Sequence, residues 1–233
     1  MLERLPEPKI GSKGQLLEWN EEFTELEPGH RHLSHLFGLF PGEQFCPFRR
    51  PEMFEASLKS LQLRMEAGGG HTGWSRAWVA CLYARAGMGD EAFEQVSHLV
   101  TDFASNTMLD LHPPRIFQIE GNLGGVAAVQ EMLLQSYHGE IHLLPALPEA
   151  WPTGRVSGLR ARNGFTVEIA WDDGEVEEAR LLSRAGTECQ LVDPDGLLVA
   201  HEESGTQVPL RRREHLSVFA TQSGTAYTIR RRD

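Results

Sequence analysis

From His30 to about Tyr137, apolar residues recur every three or four positions, and turn signals arrive roughly every twenty. A spacing near 3.6 residues puts apolar side chains on one face of a helix, so this half predicts several amphipathic helices. "GHRHLSHLFGLF" is the first and should stop at Pro41-Gly42. Pro51 suits the first helical position of "PEMFEASLKSLQLRMEAGGG", in which Phe54, Leu58, Leu61 and Met65 form a stripe and the three glycines end the element. "TGWSRAWVACLYARAG" sets Trp74, Trp78, Cys81 and Leu82 on one side, with His71 or Thr72 available as cap. Asp90 can cap "EAFEQVSHLVTDF", with Phe93, Val96, Val100 and Phe103 in line. "NLGGVAAVQEMLLQSY" is the fifth, its stripe running Val126, Val129, Leu133, Tyr137.

After "GEIHLLPALPEAWP" the period falls to two. Phe165, Val167, Ile169 and Trp171 alternate with polar residues, as on a strand with one buried face, and Asp172-Asp173-Gly174 offers a hairpin turn. "SVFATQSGTAYTI" repeats the pattern around Ser223-Gly224. The expected architecture is therefore α+β and multidomain: a helical domain over residues 1–145, then an antiparallel β-sandwich over 146–233, with the boundary between Pro145 and Pro152. Similar helices joined by short loops suit a bundle, a solenoid or part of an α/α toroid, and the lack of a sequence repeat disfavours the solenoid.

Composition narrows the function classes. With 40% apolar and 24% charged residues, the 233-residue chain reads as globular. Its net charge of −11 argues against gripping nucleic acid, which needs excess Lys and Arg, and leaves Arg211-Arg212-Arg213 and Arg230-Arg231-Arg232 as solvated charge. No apolar run approaches the ~20 residues that span a bilayer, so no membrane role is expected. Met1 to Glu7 lacks the apolar core of a signal peptide, so the sequence carries no address and the location is left unknown, a reducing cytoplasm being favoured only by the cysteine usage. Cys46, Cys81 and Cys189 are odd in number and far apart, fitting neither a disulfide framework nor a close-spaced metal site.

Three clusters carry candidate chemistry. His30, Arg31, His32 and His35 lack the i, i+4 histidine pair of a metal-binding helix, so neither metal nor cofactor is expected; capping and core hydrogen bonding compete with a substrate-binding surface rich in Arg and His. In "GHTGWSRAW", Trp74 can be core or can face a sugar ring, since carbohydrate sites use flat aromatic faces. In "HPPRIFQIEGNLGG", Pro113-Pro114 forbids helix and places Glu120 on a loop leading into a helix start, where the helix dipole favours a charged acid. Glu120 is thus either a catalytic base or a plain helix-start acid. Glycoside hydrolysis needs two carboxyl groups, and spacing names no second one.

These clusters, with "GQLLEW" before them and "GEIHLLPALPEAWPTGRVSGLRARNGF" after, resemble the C-terminal part of glycoside hydrolase family 95, the α-L-fucosidase A type, from about Gly14 to Trp171. The resemblance implies an (α/α)6 barrel followed by a small β-sandwich. Twelve helices are needed for the barrel and roughly five or six are legible here, so the rest is expected upstream, and a part-toroid with uncovered apolar faces is expected to self-associate or take a partner segment. It further implies hydrolysis of fucosylated glycans, or L-galactosylated ones, with inversion. Glu120 falls on the family's "QI-acid-GN" motif as the base-side carboxylate, where the family usually carries aspartate. Arg31 and His32 fall on the "GHRH" segment that contacts sugar hydroxyls, and Trp74 and Asn122 lie in further motifs assigned to the substrate side. The general acid and the water-holding asparagines are implied upstream.

Overall fold

A computed structural model describes residues 6–192 and 196–231, so the Met1 to Leu5 part of the leader reading and Arg232 lie outside the described residues. The chain forms two compact units: residues up to Ala86 with Glu91–Ala128, and Gly87–Asp90 with Val129 onward.

The first unit is helical. α1 (Pro51–Glu66) starts on its proline and buries Phe54 and Leu61, with Leu58 and Met65 partly buried beside them. It ends as expected at the glycines, Gly68 taking φ +86°, a left-handed conformation that costs a side chain but not glycine. α2 (Gly73–Arg85) is capped by Thr72 in a reciprocal box: Ser75 N–H donates to Thr72 Oγ1 and Ser75 Oγ accepts from Thr72 N–H. Cys81 and Leu82 are buried as the stripe predicts, but so are Ala77, Ala80 and Ala84, so α2 is covered on most sides. α3 (Gly89–His98) runs into a wider π-helical turn, Leu99–Phe103, and α4 spans Ile119–Leu133. Gly124 and Ala128 let α4 approach Ala77, Ala80 and Cys81 of α2 closely, and Cys81 Sγ donates to Gly124 O.

Several expectations are corrected. "HRHLSHLFGLF" forms only a 3₁₀ turn, Ser34–Gly38, because its buried residues Leu33, Leu36 and Leu39 recur every third position, the period of a three-residue turn. Asp90 lies inside α3 rather than capping it, and its Oδ1 accepts from the Glu149 N–H. Val100 is exposed. α4 begins two residues before Gly121 and stops at Leu133, since Leu134–Tyr137 leaves the helix to become strand β3, hydrogen-bonded to β4 (Glu140–Leu143).

Those two strands belong to the second unit, so the structural division falls near Ala128, ahead of the 145/146 boundary read from the prolines. The reason is physical: "LLQSY" continues the helical spacing of apolar residues, but Leu134 and Ile141 join the β core. Long strands β5 (Gly154–Ala161), β6 (Phe165–Asp172) and β7 (Glu175–Ser183) lead on to β8 (Cys189–Val192), β9 (Leu197–His201), β10 (Arg211–Arg213), β11 (Leu216–Phe219) and β12 (Ala226–Arg231). They form two five-stranded sheets, β10-β11-β8-β4-β3 and β5-β6-β7-β12-β9, around one core. Phe165, Val167, Ile169 and Trp171 all point into it, as the alternation requires. Asp173 and Gly174 both take positive φ in the β6–β7 turn, the geometry of a two-residue hairpin. The sandwich is not wholly antiparallel, because β4 pairs with β8 in parallel. Nor is Ser223-Gly224 a hairpin: β11 and β12 lie in different sheets, and Gly224 N–H bonds Ser183 O across the turn.

Candidate active site

Glu120 is held by a short frame. β1 (Leu111–His112) and β2 (Ile116–Phe117) pair antiparallel around Pro113-Pro114, which are joined by a cis peptide. α4 follows two residues later, so Glu120 sits in its first turn, on the helix rather than on a loop before it, with its side chain exposed. An acid at that position faces the unpaired N–H groups of the helix start.

Asn122 holds this start in place. Its Nδ2 donates to Met108 O at 2.6 Å, its Oδ1 accepts from Asp110 N–H at 2.9 Å, and Gln118 N–H donates to Asp110 O at 3.2 Å. Both ends of the Asn122 amide are therefore committed to backbone, and what this side chain visibly does is clamp the turn that carries Glu120.

The "GHRH" segment meets α2 at Trp74. His32 meets the Trp74 ring edge-on, with centroids 5.2 Å apart, and His30 lies 4.8 Å from His32. Trp74 is half-buried with Trp78 at 6.4 Å, so it is neither sealed in the core nor fully free. Arg31 is half-buried between the two histidines in sequence. Loss of solvent around His32, helped by His30 and Arg31, holds its imidazole below the ordinary histidine range. A neutral imidazole both donates and accepts, which suits a sugar hydroxyl better than a cation would.

Beneath them, Arg64 of α1 reaches Glu18 at 3.1 Å and bonds His30 O, tying the "GQLLEW" and "GHRH" segments to one helix. His35 is buried 4.0 Å from the same Glu18 oxygen, and burial, only partly offset by Glu18, pushes its imidazole down to about 4. It is a neutral structural histidine. Glu18, Trp19, Glu25, His35 and Arg64 line an open groove of about 880 Å³, and His112 to Arg115 line another of about 570 Å³ with residues 102–107. Neither groove is lined by Glu120.

The three sequence clusters meet through a side chain that spacing did not single out. Asp110 lies against Gly73, the first residue of α2 and neighbour of Trp74, and against Gly121, the neighbour of Glu120. A line of contacts thus runs from His32 through Trp74 and Gly73 to Asp110, Gly121 and Glu120. The signal was present in the glycines: each stands in a helical first turn, where glycine costs about 0.5–1 kcal/mol unless something needs the space. Among the described residues no group of three His, Cys, Asp or Glu could hold a metal ion, and no helix is long and apolar enough to cross a membrane.

Residues 1–133 match the glycosyl hydrolase family 95 catalytic domain, and residues 135–229 match the family 95 C-terminal domain. Alpha-L-fucosidase 2 of Arabidopsis thaliana is 42% identical over 77% of this chain and 22% of its own length. Probable alpha-fucosidase A of Aspergillus niger is 31% identical over 73% of this chain and 23% of its own, and that of Aspergillus oryzae 29% over 82% and 30%. The chain therefore spans less than a third of these relatives. A Streptomyces avermitilis alpha-L-rhamnosidase complexed with L-rhamnose covers 77% of this chain and 20% of its own at 12% identity, with a TM-score of 0.41, too low for a fold assignment.

Proposed function

The chain belongs to glycoside hydrolase family 95, and on that premise we propose that it supplies the base side of an inverting α-L-fucosidase-type active site. In this reading the helical unit is one part of an (α/α)6 toroid, and the substrate is a fucosylated or L-galactosylated glycan. The observation that carries it is that the start of α2 meets both groups: Trp74 touches His32, and Gly73 lies against Asp110, which also abuts Gly121 beside Glu120.

Each side chain then has a role its chemistry allows. Glu120, exposed at a helix start, accepts a hydrogen bond from the group that orients the attacking water. Arg31 and neutral His32 contact sugar hydroxyls, Trp74 offers an aromatic face, and Asn122 keeps the Glu120 turn in register. In an inverting site the general acid sits ~6.5–9.5 Å across the scissile bond from the base side, and water enters between them. That acid is assigned to a part of the catalytic domain outside this chain.

A chromogenic α-L-fucoside, with the α-L-galactoside in parallel, tests the assignment. The 233-residue chain alone should show no turnover. Joined to the remaining catalytic-domain sequence of a relative, it should hydrolyse the fucoside, and Glu120→Gln should then lower kcat by roughly 100-fold or more. Robust hydrolysis by the isolated chain would overturn the claim that the acid lies elsewhere, and full activity of Glu120→Gln would remove Glu120 from the chemistry.

A further inference from the structure

Asp110 is 3% exposed, yet neither carboxyl oxygen makes a hydrogen bond of normal geometry. Buried carboxylates are nearly always paired, because an unsatisfied one gives up its hydration for nothing. Nor is its place accidental. A Cβ added to Gly73 would overlap Asp110 Oδ1, and one added to Gly121 would overlap Cγ, so glycine is required on both sides for this acid to fit. The Asp110 backbone is pinned as well, its N–H to Asn122 and its C=O to Gln118. Everything around Asp110 therefore fixes it, while its own carboxyl is directed at the junction of two helix starts.

We propose that Asp110 is a positioning residue for Glu120: its carboxyl wedges the start of α4 against the start of α2 and so fixes the turn that carries Glu120. The proposal rests on the reading of Glu120 as the base-side carboxylate. The groups that face Asp110 are Glu120 from α4, His112 from β1 and the Leu111 N–H; α2 contributes Gly73, which has no charge. Burial raises Asp110 above the ordinary carboxylate range, the Leu111 N–H opposes this, Glu120 adds to the rise, and His112 subtracts from it.

Carbon-13 NMR of the Asp and Glu carboxyls in the 233-residue chain tests the pair without substrate. Asp110 should titrate above the ordinary aspartate range, and Glu120→Gln should bring the Asp110 midpoint down toward that of an ordinary aspartate. An Asp110 midpoint unmoved by Glu120→Gln, or one already in the ordinary aspartate range, overturns the proposal. For the wedge, Asp110→Asn keeps the shape and should retain hydrogen-exchange protection of the amides at 119–122, whereas Asp110→Ala should lose it selectively. Equal loss in both variants, or loss spread over the whole unit, overturns that part, and if Asp110→Ala does not fold, Asp110→Asn is judged alone against wild type. A raised acid stabilises the fold below its unfolded range and loses that contribution as pH rises through its folded midpoint, so Asp110→Asn should gain Tm relative to wild type toward neutral pH. None of these readouts uses hydrolysis, so failure of the fucoside assay and failure of the pair are separately visible.

Discussion

His35 and Asp110 are two buried titratable residues of the helical unit, and they make opposite demands on pH. The His35 imidazole is pushed from 6.5 to about 4 chiefly by burial. Its unfolded form therefore binds a proton first as pH falls, and the stability tied to the neutral ring is complete above ~6.5 and lost on descending toward ~4. The full span corresponds to about 3 kcal/mol, an upper figure because the ring shares Glu18 and Arg64. Replacing His35 by Gln should flatten the acid limb of a Tm–pH profile between those limits; an unchanged limb would show that His35 is not the group responsible. Asp110 acts in the other direction, losing stability as pH rises. The residue at position 120 adds a point of chemistry: a Glu in place of the family's usual Asp moves the carboxylate outward by one methylene, and the exposed first turn of α4 leaves room for it.

Among the elements, α2 and α4 bring the candidate residues together because their first turns are built without bulk. Alanine is the better helix former, so Gly121→Ala on an open helix would gain about 0.5–1 kcal/mol. Here its methyl would strike Asp110, and we expect a net loss of stability in wild type that reverses to a gain when Asp110 is Ala. Chemical denaturation of the four proteins of that double-mutant cycle measures the coupling, and additivity would show that the two residues do not compete for the same space. The same logic explains why α4 could be named as a helix from its stripe while its two ends could not. Its start depends on a clamp from Asn122 to residues 108–110, twelve or more positions away, and its end depends on Leu134 pairing with Leu143.

Over the whole molecule, apolar surface is distributed unevenly. Ile119, Leu123 and Val126 recur along α4 at 54%, 64% and 68% exposure, with Ile116 and Phe117 of β2 also open. A stripe of this kind on an isolated chain favours association. Sedimentation of the 233-residue chain should therefore show concentration-dependent self-association, and Leu123→Glu with Val126→Glu should shift it toward monomer with little change in far-UV circular dichroism. A wild-type chain that stays monomeric at high concentration would count against the stripe as an interaction surface. The β unit shows no such need on its strand faces, since both sheets direct their alternating side chains into one core.

The local pattern determined that helices precede strands, that Phe165 to Trp171 face a core, and that Pro51, the triple glycine and Asp173-Gly174 begin or end elements, because each of these follows from geometry within a few residues. Motif resemblance located Glu120, Arg31, His32, Trp74 and Asn122. Only the tertiary structure decided that "LLQSY" leaves the helix, that β4 and β8 run parallel, that Asn122 serves the backbone, and that Asp110 joins the clusters. These last depend on partners distant in sequence, where burial and steric fit outweigh local preference.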